Sequence, residues 1–124
     1  MLPAHWQAAP GTAIVDTQAV KVMRLDDLAV PALAAMHRPF LKIDVQGAEM
    51  AVLRGAPETL SRCVGLQVEL TLEPLYAGQA LWREVIDLLA ARGFVTWDLQ
   101  PIFSDPASGR LLQMDGVFFR EAPR

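Results

Sequence analysis

From Val64 to Leu72, the apolar residues Leu66, Val68, Leu70 and Leu72 alternate with Gln67, Glu69 and Thr71. A period of two sends successive side chains to opposite faces, so the segment predicts a strand with one apolar and one polar face. The run FLKIDV, Phe40 to Val45, predicts an earlier strand that ends near an acid, and a helix follows from Ala48. That helix carries Met50, Val52 and Leu53 toward the sheet until Gly55 ends it, and Pro57 opens another short helical turn. Two strands joined through a helix favour a parallel pair. Leu81, Val85, Leu88 and Leu89 then form a helical stripe, with Gly93 just beyond its end. Two strand-like runs close the pattern, Phe94 to Phe103 and Leu111 to Arg120, and the turn-rich link SDPASG between them predicts an antiparallel hairpin.

Upstream the pattern is thinner. Residues 1–19 read as an irregular lead-in, with Pro3, Pro10 and Gly11 among the first 13. Val20, Val22 and Arg24 alternate with Lys21, Met23 and Leu25 in a short extended pattern, and Asp26 and Asp27 suit the capping of a turn or helix. Pro31 fits a first helical position better than an interior one, which predicts a short helix from Pro31 to His37 that Pro39 stops. There is no internal repeat.

A chain of 124 residues, 52% apolar and 20% charged, fits one α/β domain spanning 1–124. A net charge of -3 offers no basic stripe for a phosphate backbone, so no nucleic-acid partner is expected. The longest uncharged apolar stretch, Leu28 to Met36, contains Pro31 and is about half a membrane span in length. No basic segment leads into an apolar one at the N-terminus, so neither a secretory signal nor a membrane partner is expected. The lone Cys63 leaves no intramolecular disulfide and no thiolate cluster for a metal, and a buried structural thiol in a soluble, cytoplasmic protein is the expectation.

The segments LKIDVQGAE, VLRGA, QVELTLEPLY, the helix after them and GRLLQMDGVFFR together resemble the FkbM family of S-adenosylmethionine-dependent methyltransferases. The resemblance implies a partial Rossmann-like, class I methyltransferase sheet whose parallel strands end in an antiparallel C-terminal hairpin. It also implies methyl transfer from S-adenosylmethionine, with an oxygen of a small molecule or sugar as the expected acceptor. In that family the cofactor is held chiefly by a glycine-rich turn after the first strand and an acid at the end of the second. Before Gly47 the only glycine is Gly11, so no such turn is present and the chain resembles the C-terminal part of such an enzyme. Weak or absent cofactor binding by the isolated chain follows. The alternative is a non-catalytic α/β remnant or interaction module that forms a homo-oligomer through an exposed sheet edge.

In open α/β sheets ligands sit beyond the carboxyl ends of the strands, and Asp44 lies at such a point. The resemblance sets Asp44 near the methyl-bearing end of the cofactor, with Gln46 and Gly47 in the turn beside it as further cofactor-binding candidates. Asp44 and Glu69, at neighbouring strand ends, are the candidate catalytic pair, because methyl transfer to a hydroxyl requires a destination for its proton. Each has a plainer reading. Asp44 would cap the following helix, and Glu69 would neutralise Lys42, an ammonium expected in the middle of a buried strand. Gly47 permits a tight turn or the close approach of a ligand, and Glu49 suits the dipole of a helix start. Tyr76, Trp82 and Trp97 line an acceptor pocket or fill the core, while His5 and His37 belong to no metal-spaced cluster. Asp115 and Gly116 interrupt the last strand where a β-bulge fits.

Overall fold

The computed structural model describes residues 1–2, 9–12 and 14–121, so His5 and Pro3 lie outside the described residues. The elements in order are α1 (Leu25–Leu33), β1 (Phe40–Ile43), α2 (Glu49–Arg54), α3 (Pro57–Arg62), β2 (Gly65–Thr71), α4 (Trp82–Ala91), β3 (Phe94–Ser104) and β4 (Leu111–Arg120). They form one four-stranded sheet in the order β1-β2-β4-β3. β1 and β2 are parallel, while β4 is antiparallel to both β2 and β3. The parallel pair and the terminal hairpin are those the sequence pattern predicts.

Alternation decides which face is which. Ile43, Leu66, Val68, Leu70, Met114 and Phe118 pack with Leu53, Leu60, Val85 and Leu89 of the helices into one core. Burying each such side chain contributes about 1.5–3 kcal/mol, which is why α4 docks through Val85 and Leu89. The opposite face carries Lys42, Gln67, Glu69 and Asp115, brought into line by the pairings Lys42 with Gln67 and Glu69 with Asp115. The polar side chains of β1, β2 and β4 therefore share one surface.

Three expectations are corrected. Val20 to Arg24, read as a short extended pattern, is exposed and belongs to no strand. The first helix begins at Leu25 rather than Pro31, which lies inside it. Tertiary bonding sets that start: the Asp26 N–H donates to the Gly55 carbonyl at 3.2 Å, and the Asp26 carboxylate accepts from the N–H groups of Glu58 (3.0 Å) and Thr59 (2.7 Å). The aspartate thus caps α3, a helix distant in sequence. Pro31 and Asp27 are both exposed, so water can serve the carbonyl that the proline leaves without a donor. Asp115 and Gly116 form no bulge, since β4 stays in register with β2 throughout, and the irregularities of the β3–β4 pairing fall near Trp97, Ile102 and Leu112. Gly116 has a packing cause instead: a Cβ there would stand 2.6 Å from Leu70 Cδ1.

β1 has β2 as its neighbour in this sheet, and its outer side borders an apolar cavity of about 590 Å³. Val22, Leu28, Leu41, Val45 and Val52 are among its walls. Among the described residues no helix is long and apolar enough to cross a membrane.

Candidate functional site at the strand ends

Just past β1 the backbone turns through left-handed conformations at two successive residues, Gln46 (φ 51°) and Gly47 (φ 104°). Left-handed backbone is costly for a residue with a side chain, so the turn needs outside support. Four contacts supply it. Both oxygens of the buried Glu49 carboxylate accept the Gly47 N–H at 3.1 Å. The Tyr76 ring, in the connection from β2 to α4, lies so close over Gly47 that a Cβ there would approach its Cδ2 to 2.7 Å. The Tyr76 hydroxyl donates to Gln46 Oε1 at 3.0 Å, and Gln46 Nε2 donates to Asp44 Oδ1 at 2.9 Å.

Asp44 does not cap α2. Its other oxygen faces Lys42 Nζ at 3.6 Å, and the side chain remains partly exposed. This overturns the expected Lys42 to Glu69 pair: the Lys42 side chain is 59% exposed because β1 is an edge strand here, so no buried counter-charge is required. Glu69 instead accepts from Gln113 Nε2 at 3.1 Å. Directly opposite it in the β2–β4 register stands Asp115, which accepts from Gln67 Nε2 at 2.7 Å.

Glu69 therefore meets acids rather than a base. Burial first, and then the negative charges of Asp44, Glu49 and Asp115, push its carboxyl above the ordinary range against the opposing hydrogen bond from Gln113. The Tyr76 phenol is raised as well, by burial and then by the charges of Glu69 and Glu49. A carboxylate with raised proton affinity beside other carboxylates can take up a proton, and the cluster as a whole favours a cationic ligand. Among the described residues no group of three or more His, Cys, Asp and Glu side chains could hold a metal ion.

Of the residues singled out from sequence, the structure brings Asp44, Gln46, Gly47, Glu49, Glu69, Tyr76 and Asp115 to one end of the sheet. Trp97 stands apart, 70% exposed with its ring 5.6 Å from that of Phe119. Gln113 was not foreseen. Only the register between β2 and β4 sets it near Glu69, although its alternation with Asp115 on a common face was a usable signal.

A family model described as the methyltransferase FkbM domain matches residues 3–96 of the chain. No curated protein and no solved structure matches it.

Proposed function

The chain belongs to the FkbM methyltransferase family, and on that premise we propose that its strand ends serve methyl transfer from S-adenosylmethionine to a hydroxyl oxygen of a small molecule or sugar. One observation carries the reading: Glu69 lies on the polar face of β2 directly opposite Asp115, and burial and then the charges of Asp44, Glu49 and Asp115 raise its affinity for a proton. The cofactor supplies an electrophilic methyl group on a positively charged sulfur. The donor set suits that charge, since carboxylates at neighbouring strand ends attract a cation. Glu69 accepts the proton that the acceptor hydroxyl gives up as its oxygen gains the methyl group. Asp44, with Gln46 and Gly47 beside it, orients the reacting groups from the end of β1. The strand order β1-β2-β4-β3, a parallel pair followed by a hairpin, supports a Rossmann-like class I reading of the sheet. A cytoplasmic location agrees with the single thiol, Cys63, which is buried.

The test is transfer of an isotope-labelled methyl group from S-adenosylmethionine to a panel of sugars and small hydroxylated molecules. Glu69→Gln and Asp44→Asn should each keep the fold and reduce turnover at least about tenfold, or about 1.4 kcal/mol of transition-state stabilisation. Unchanged turnover in both variants would remove the strand-end acids from the reaction.

A second reading has its own observation. The outer side of β1 borders an apolar cavity, a geometry that suits strand addition by another copy of the chain. Sedimentation should then show a dimer whose population rises with concentration. A monomer at every concentration would dismiss this reading.

A further inference from the structure

We infer that Gln46 is a positioning residue whose amide, bridging Tyr76 and Asp44, holds the Asp44 carboxylate in place at the end of β1. This inference rests on the reading of Asp44 given above. Gln46 is the only residue other than glycine with positive φ among the described residues. Its backbone strain is matched by a side chain with two defined partners, Tyr76 Oη on the oxygen and Asp44 Oδ1 on the nitrogen.

The amide has one sensible orientation. An ionised carboxylate only accepts hydrogen bonds, so Nε2 must face Asp44, and Oε1 is left to accept from the phenol. The bridge consequently joins two connections that leave neighbouring strand ends, β1 to α2 and β2 to α4. Tyr76 is anchored from its own side. Its N–H and that of Leu75 donate to Gln79 Oε1 at 3.3 and 3.0 Å, and Gln79 Nε2 donates to Thr71 Oγ1 at 2.9 Å. A chain of hydrogen bonds thus runs from the end of β2 through Gln79, Tyr76 and Gln46 to the acid beyond β1. Such a chain fixes a reacting group more tightly than one bond does.

The chain contains one tyrosine, so ultraviolet absorbance of tyrosinate reports on Tyr76 alone. In the full 124-residue chain, Asp44→Asn removes the carboxylate that dictates the amide orientation. The amide can then turn its N–H toward the phenolate, and the tyrosine midpoint should fall by at least about half a pH unit. Gln46→Asn keeps an amide and tolerates left-handed backbone but is one methylene too short to span both partners. In that background Asp44→Asn should move the midpoint clearly less. Equal shifts in the two backgrounds would overturn the inference, and they would do so whether or not methyl transfer is detected. Where transfer is measured, Gln46→Asn and Tyr76→Phe should each lower kcat with little change in KM, and the double variant should be no worse than the poorer single variant. Losses that multiply in the double variant would likewise overturn it.

Discussion

Two carboxylates of this chain, Asp26 and Glu69, respond oppositely to their surroundings. Burial is the largest single influence on Asp26 and opposes its charge. The Thr59 and Glu58 N–H groups, the Thr59 hydroxyl and Arg24 together outweigh it and hold the carboxyl below its ordinary range. Its contribution to stability is therefore complete above the unfolded carboxyl value and is lost as pH falls through the lower, folded value. Asp26→Ala should cost about 1–3 kcal/mol near neutral pH, because it strands buried donors at the start of α3, and should flatten the acid side of the stability curve. Denaturant melts across acidic pH check this, and an unchanged acid limb would contradict it. Glu69 has the opposite sign. Between the ordinary carboxyl value and its raised folded value, the folded protein retains a proton that the unfolded chain has released, so stability falls as pH rises through that window. Glu69→Gln should remove that decline and leave the melting temperature at neutral pH equal or higher, since Gln113 can still donate to the new amide oxygen. A lower melting temperature would show that the carboxylate has a favourable partner after all. Sequence alone missed both environments. Asp26 reads as the cap of its own helix because local spacing cannot show that α3 lies across from it. Lys42 reads as buried because nothing in FLKIDV distinguishes an edge strand from a central one.

At the scale of elements, the short helices depend on side chains from elsewhere. Arg120, near the end of β4, donates to the carbonyls of Leu60 (2.9 Å), Cys63 (3.1 Å) and Arg92 (2.8 Å), and its guanidinium lies 4.3 Å from the Phe94 ring centroid. These carbonyls belong to the last turn and C-cap of α3 and the C-cap of α4. One cation thereby serves backbone carbonyls at the C-terminal ends of both helices, adding to the Cys63 N–H that already donates to Leu60. Arg120→Lys keeps the charge but loses the planar fork, and should destabilise the fold by about 1–3 kcal/mol in thermal or chemical melts. A change of a few tenths would mean that water replaces the fork at little cost. The strands themselves were legible, because alternation in β2 and the glycine beyond α4 are local signals. The start of α1 was not, because the Gly55 carbonyl and the α3 cap that fix it lie far along the chain.

Across the whole molecule, one topological fact unites fold and site. The parallel pairing of β1 with β2 sets Asp44, just past β1, beside Glu69 near the end of β2, and the return of β4 adds Asp115 and Gln113 to the same face. Asp44 and Glu69 were visible in the sequence as strand-end acids, but the burial of Glu69 and the charges of Asp44, Glu49 and Asp115 around it exist only once β1, α2 and β4 are assembled about β2. The same arrangement makes a prediction about ligands: an acid-lined strand end should prefer the positively charged S-adenosylmethionine to its neutral demethylated product, S-adenosylhomocysteine. With no glycine-rich turn before Gly47, binding by this chain should be weak, with a Kd near or above about 1 mM. Amide NMR is suited to so weak an interaction. Titrating the chain with S-adenosylmethionine should shift the signals of Asp44 to Glu49, Glu69 to Thr71 and Tyr76, should shift them less with S-adenosylhomocysteine, and should lose that preference in the Asp44→Asn, Glu69→Gln double variant. Shifts confined to other parts of the fold, or equal responses to the charged and neutral ligands, would contradict the assignment of the strand-end acids as the methyl-transfer site.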